Sequence, residues 1–116
     1  MDAAMAVRTE DGCTVVEVAG DVDVYSTPQV REALLETINA GVRGLVIDLD
    51  AVEFIDSSGL GVLVVALKRV RSAESTLHLV CNREPILKMF RITGLMKVFP
   101  VHATLADAIA AVRASG

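Results

Sequence analysis

Leu45-Val46-Ile47-Asp48-Leu49 is an almost unbroken run of β-branched and leucine residues. A strand of that composition offers no solvated face, so it belongs inside a sheet with layers on both sides. Upstream, Met5 to Glu10 and Cys13 to Ala19 alternate as strands do, and Asp11-Gly12 between them is a hairpin signal. Gly20 is expected to interrupt the second strand, ahead of Asp21-Val22-Asp23-Val24. From Val30 the period turns helical: Val30, Leu34 and Ile38 form a stripe that Ala33 and Leu35 widen. Ser26 and Thr27 are candidate N-caps for this helix, Pro28 suits its first turn and Gly41 its end.

Past the central run, Val52-Glu53-Phe54-Ile55 leads through an Asp-Ser-Ser-Gly junction into a helix expected from about Ser58 to Arg71. Thr76 to Cys81 is expected as a strand. Glu84-Pro85 opens a short helix through Phe90, closed near Thr93-Gly94. Val98-Phe99-Pro100-Val101 suits a short edge strand, where proline is tolerated. Thr104 with Asp107 resembles a capping box and starts a last helix through Val112. Strands alternating with helices imply crossover connections, and the initial hairpin makes the sheet mixed. The expected class is therefore α/β: a mixed β-sheet of four to five strands with about four α-helices, one domain over residues 1–116.

Composition narrows the function. A net charge of −4 with scattered basic residues disfavours nucleic acid as a partner, since phosphate binding needs a basic face. Lys68, Arg69 and Arg71 form the tightest basic cluster and suit a solvated helix end. No apolar run reaches the ~18 residues of a membrane span. Asp2, Arg8, Glu10 and Asp11 do not suit a signal peptide, so a cytoplasmic protein is expected. Cys13 and Cys81 sit in apolar runs without clustered Cys or His partners, which suits buried reduced thiols rather than a disulfide or a metal site. No cofactor is expected.

The most informative stretch is Phe54-Ile55-Asp56-Ser57-Ser58-Gly59-Leu60-Gly61. Asp and Ser before a helix are ordinary caps, worth about 1 kcal/mol. Gly59 and Gly61, however, fall in the first turn, where each costs about 1 kcal/mol relative to alanine. Close approach of another backbone or molecule is the usual reason for such a glycine. A serine hydroxyl there would stand at the positive end of a helix beside free N–H groups, a place that accepts phosphate. A phosphoserine adds nearly two negative charges, which beside Asp56 and Asp23 would repel an acidic or apolar contact. Leu60, Leu63, Val64, Leu67 and Val70 form the core stripe of this helix, and Val62, Val65 and Ala66 widen it. Either the helix is covered nearly all round, or an apolar strip beside the serines is left for a partner.

These residues resemble the anti-sigma factor antagonists of the STAS superfamily, which have the SpoIIAA-like fold. The resemblance runs from Val15-Val16-Glu17-Val18-Ala19-Gly20-Asp21-Val22-Asp23 through Leu45-Val46-Ile47-Asp48-Leu49 to the Asp56–Gly61 hexapeptide, and on to Arg91-Ile92-Thr93-Gly94-Leu95. In Lys68-Arg69-Val70-Arg71 and Phe90-Arg91-Ile92-Thr93-Gly94 it is most similar to the BldG type of actinobacteria. The resemblance implies a switch rather than an enzyme. The unphosphorylated protein binds an anti-sigma factor, a serine kinase with a histidine-kinase-like fold, and so frees a sigma factor. Phosphorylation releases it, and a PP2C-type phosphatase resets it. The phosphoacceptor implied is Ser57, with Ser58 second. Asp23 and Asp56 match the acidic positions that flank it, and Gly59 and Gly61 match the tight helix start. Asp21, Val62, Val65 and the region after Asp21 are the expected partner surface, and the chain is expected to be a monomer or weak homodimer.

Three other functions are weaker. A hydrolase would need Gly-x-Ser-x-Gly, but Ile55 stands two before Ser57 and Asp56 two before Ser58. Its base would be His78, in an apolar strand, or His102, in an expected loop. A dinucleotide fingerprint at Gly59-Leu60-Gly61 fails where Val64 replaces the third glycine. A scaffold or transport-accessory subunit is the remaining alternative; it would form large particles by itself.

Overall fold

The computed structural model describes residues 2–115. The chain runs β1 (Ala4–Glu10), β2 (Cys13–Val22), α1 (Thr27–Asn39), β3 (Leu45–Ile55), α2 (Ser57–Ser72), β4 (Leu77–Val80), α3 (Glu84–Ile92), a 3-10 turn (Leu95–Lys97), β5 (Val101–His102) and α4 (Leu105–Ser115). The five strands lie side by side in chain order. β1 and β2 are antiparallel, and β2 to β5 are parallel. This is the mixed α/β sheet that the sequence predicts.

The hairpin turns at Asp11 and Gly12, both with positive φ, which matches the right-handed twist of the strands it joins. β3 is the central strand. Leu45, Val46 and Ile47 are fully buried because both faces are covered there. On one face Val16, Val18, Leu45, Ile47 and Leu49 pack with Val30, Leu34 and Ile38 of α1, Leu60, Leu63 and Leu67 of α2, and Ile86 and Phe90 of α3. On the other, Cys13, Val15, Val46 and Val80 pack with Ala108, Ile109 and Val112 of α4. Both cysteines are buried free thiols, and burial pushes both thiols up from their ordinary value.

Three expectations change. Gly20 does not end β2. The strand continues to Val22 through register shifts at Glu17/Ala19 and Gly20/Asp21, made possible by the positive φ of Gly20, where a Cβ would meet the Asp2 carbonyl. Leu45–Leu49 and Val52–Ile55 are one strand, β3, whose second half drops the continuous apolar pattern because α4 does not cover it. Val98, Phe99 and Pro100 lie outside any strand. The N–H groups of Val98 and Phe99 both bond back to the Leu95 carbonyl, and Pro100 has no N–H to offer a ladder. Phe99 instead packs edge-on against Phe90, with ring centroids 5.9 Å apart.

Candidate functional site

Because β2 and β3 are parallel, their C-terminal ends emerge on the same edge of the sheet. The 23–26 loop that enters α1 therefore sits beside the start of α2. In parallel sheets this is the edge where ligands are met. The Asp56 N–H donates to the Val22 carbonyl at 3.2 Å and sews the two connections together.

Asp56 is the N-cap of α2, in extended conformation, and its carboxylate accepts from the Gly59 N–H at 3.1 Å. The Ser58 hydroxyl donates to the same carboxylate oxygen at 2.5 Å. The Ser58 hydroxyl, more than any other group, holds the Asp56 carboxyl below its ordinary value; backbone N–H groups of Gly59, Ser58 and Val24 add to this, against the cost of desolvation. Asp56 thus already occupies N–H groups of the first turn that the sequence suggested were free for a phosphate. Ser57, the first helical residue, is exposed, and among the described residues its hydroxyl has no hydrogen-bond partner. The two serines are adjacent in sequence and opposite in situation.

The neighbouring loop is tied by its own polar groups. Asp23 accepts from the N–H groups of Tyr25 and Ser26 at 3.0 and 3.1 Å. Buried Ser26 accepts from the Asp23 N–H at 3.0 Å and donates to the Asp21 carbonyl at 2.8 Å. Ser26 does stand at the cap position of α1, but its hydroxyl serves the loop and makes no cap bond to the helix. Thr27 is the first helical residue, and its hydroxyl turns back to the Val24 carbonyl. This wiring turns Val24 and Tyr25 outward, 61% and 90% exposed. Phe54, 51% exposed, adds a third apolar side chain on the approach to Asp56.

The apolar surface therefore differs from the α2 strip that the sequence left open. Val62 and Ala66 are buried, because α1 packs on α2, and Val65 is half-buried. Val62, at 8% exposure, is chiefly a core residue. Val62, Val65, Ser58 and Gly61 still line one side of an open groove of about 460 Å³, with Thr27, Pro28 and Arg31 of α1 on the other. Phe54 and Arg31 escaped the sequence reading. Phe54 was legible as an aromatic paired with Glu53 outside the buried positions Val52 and Ile55; Arg31 lay on the polar face of α1 and carried no signal.

The two glycines of the first turn separate. A Cβ on Gly59 would lie 2.7 Å from both the Val22 carbonyl oxygen and Ile55 Cγ1, so Gly59 is required by packing of α2 onto the strand ends. A Cβ on exposed Gly61 would meet nothing within 4 Å. His78 and His102 lie elsewhere and are bonded to each other, with neither serine as a partner. Among the described residues, no group of three or more His, Cys, Asp or Glu side chains is placed to hold a metal ion, and no helix is long and apolar enough to cross a membrane.

Comparison with known proteins places the molecule. The STAS domain profile matches residues 4–108. The chain is 35% identical to the anti-sigma-B factor antagonist of Bacillus subtilis over 103 residues, 89% of this chain and 94% of that protein. It is 31% identical to the anti-sigma-B factor antagonist of Staphylococcus aureus over 102 residues, 88% of this chain and 94% of that one. Among solved structures, an anti-sigma factor antagonist from Mycobacterium paratuberculosis superposes with a TM-score of 0.90 at 34% identity, covering 96% of this chain and 94% of that one.

Proposed function

The chain belongs to the STAS domain family, and from that premise we propose that it is an anti-sigma factor antagonist switched by phosphorylation of Ser57. The observation that carries this reading is the Ser57 hydroxyl, exposed and without a hydrogen-bond partner among the described residues, at the helix start that Asp56 caps. Ser58 is the weaker acceptor, since its hydroxyl must first leave Asp56.

In the unphosphorylated state the rim and the α1–α2 groove are available to an anti-sigma factor, which gives up its sigma factor on binding. That anti-sigma factor is itself a serine kinase in this reading. It moves the γ-phosphoryl group of ATP to Ser57 Oγ: the Oγ–P bond forms, the bond to ADP breaks and the serine proton leaves. A PP2C-type phosphatase hydrolyses the ester and restores the hydroxyl. The new dianion cannot settle onto N–H groups held by Asp56, so it faces that carboxylate and any bound partner. Burying a charge without compensation costs about 3–5 kcal/mol, a loss of roughly a hundredfold or more in affinity. That is enough to reverse binding. The setting is cytoplasmic, where ATP and the sigma factor are.

Tandem mass spectrometry on protein from its own host, with and without phosphatase treatment, should locate a phosphoryl group on Ser57. A chain unmodified in both growth and stress would reject the switch. Ser57→Ala should bind the anti-sigma factor and stay bound in ATP, whereas Ser57→Asp should bind at least about tenfold more weakly. Equal binding by both variants would exclude the charge mechanism.

A further inference from the structure

At the far edge of the sheet, His78 Nδ1 and His102 Nε2 lie 2.9 Å apart, with the ring centroids 5.1 Å apart and the ring planes tilted by 42°. His78 belongs to β4 and is only 8% exposed; His102 is the second of the two residues of β5. Besides this contact, β5 is held by a two-residue parallel ladder to β4 and by Val101, which packs against the core. Backbone bonds run from the Leu79 N–H to the Pro100 carbonyl and from the Cys81 N–H to the His102 carbonyl, at 2.9 and 3.0 Å. We propose that the His78–His102 contact is an acid-released latch that holds β5 and the entry to α4 against the sheet.

The argument rests on counting protons. Two neutral imidazoles share one N–H between their facing nitrogens, and each ring has one further nitrogen pointing away. A first added proton can sit on an outward nitrogen and leaves the bridge intact. The second must go to the accepting nitrogen of the bridge. It removes the lone pair that accepts, and it sets two cations against each other at hydrogen-bonding distance. The contact then changes from attraction to repulsion. The contact is lost only when both facing nitrogens carry protons, so the release belongs to the pair and not to either ring.

The lining on the His78 side does not offset that charge. The cavity beside His78 is lined by Leu67 and Arg71 of α2, Ser75, Thr76 and Leu77 ahead of and within β4, Pro100, and Ser115 of α4. Its one charged member among the described residues is a cation, Arg71, and none is a carboxylate. From β3 the strand neighbour of His78 is Val46. Burial first, and then the charge of His102, hold the His78 imidazole below its ordinary value. For a histidine displaced in that direction, the folded state binds protons less readily than the unfolded chain. Stability is therefore complete above the ordinary imidazole value of 6.5 and is lost as the pH falls from there through the lower, folded value.

Amide hydrogen exchange tests the latch in the intact protein. Between about pH 7.5 and about pH 4.5, after correction for intrinsic exchange, protection of the Cys81 and Leu79 amides should fall about tenfold or more, while Ile47 in the central strand keeps its protection. Glutamine can donate and accept but cannot charge, so His102→Gln, at a half-buried site, should hold β5 and abolish this acid dependence. His78→Gln should do the same if it folds. Acid-independent protection of Cys81 and Leu79 in the unaltered protein would overturn the proposal. So would the same acid dependence in His102→Gln, which would assign the effect to carboxylates instead.

Discussion

Ser57 and Ser58 carry the same hydroxyl one residue apart, yet the Asp56 carboxylate takes only the second. A helix rotates successive side chains by about 100°, so one serine faces back to the cap and the other faces out. Sequence could name the pair but could not divide it. The glycines behave in the same way. Gly59→Ala should destabilise the fold by about 1–3 kcal/mol in urea denaturation, because the new methyl group has to move the Val22 carbonyl or the Ile55 side chain. Gly61→Ala should leave stability unchanged or raise it by up to about 1 kcal/mol, since the methyl group enters open space and alanine favours the helix. The same Gly61→Ala protein should bind the anti-sigma factor more weakly. Unchanged affinity would show that no partner comes close to the first turn at this point. Both glycines were visible in the sequence as helix-breaking residues; only the positions of Val22 and Ile55 tell them apart.

At the scale of elements, the junction between β3 and α2 depends on one carboxylate. Asp56→Ala removes the cap of Gly59 and the anchor of Ser58, and should lower stability by about 1 kcal/mol by chemical denaturation. The sign with pH follows from the depressed carboxyl. Its contribution is present above the ordinary value of 3.8 and is lost as the pH falls through the lower folded value, so the difference between the two proteins should close in strong acid. A gap that persisted there would mean that Asp56 acts by packing and not by charge. Most of the elements themselves were legible, since strand alternation, the 30/34/38 stripe and the Asp11-Gly12 turn are local signals. The misreadings fell where the residue type alone does not settle which group takes the backbone bond. Gly20 looks like a break and is a bulge, because the strand on its other side continues the ladder. Val98–Pro100 looks like an edge strand, but the N–H groups of Val98 and Phe99 are taken by the Leu95 carbonyl, and only the Pro100 carbonyl reaches β4.

For the whole molecule, the uneven cover of the sheet has an electrostatic consequence. The face of β2 and β3 beyond α4 collects Glu17, Asp48 and Asp50, with Arg8 bridging Glu17 at 2.8 Å. Burial, more than any other cause, raises the Asp48 carboxyl; the charges of Asp50 and Glu17 act with it, against the Asp50 N–H that bonds to it and the Arg8 charge. A carboxylate raised in the fold opposes folding when ionised, so stability should recover as the pH falls through its folded value. Asp48→Asn keeps an acceptor for the Asp50 N–H and removes the charge. It should raise the urea midpoint at neutral pH, with a gain that shrinks towards pH 4. A lower midpoint at pH 7 would mean that the charge is compensated on this face.

The sequence by itself determined the order and type of the secondary elements, the central place of β3, the helix start at the two serines and the family resemblance. These depend on periodicity, turn chemistry and a contiguous hexapeptide, all of them local along the chain. Tertiary structure decided what is exposed. It sank Val62 under α1, turned Tyr25 and Phe54 outward and freed the Ser57 hydroxyl while engaging that of Ser58. It also brought His78 and His102 together from 24 residues apart. Burial and pairing are properties of what packs against a residue, and for these residues the packing partner comes from another turn or another element of the fold.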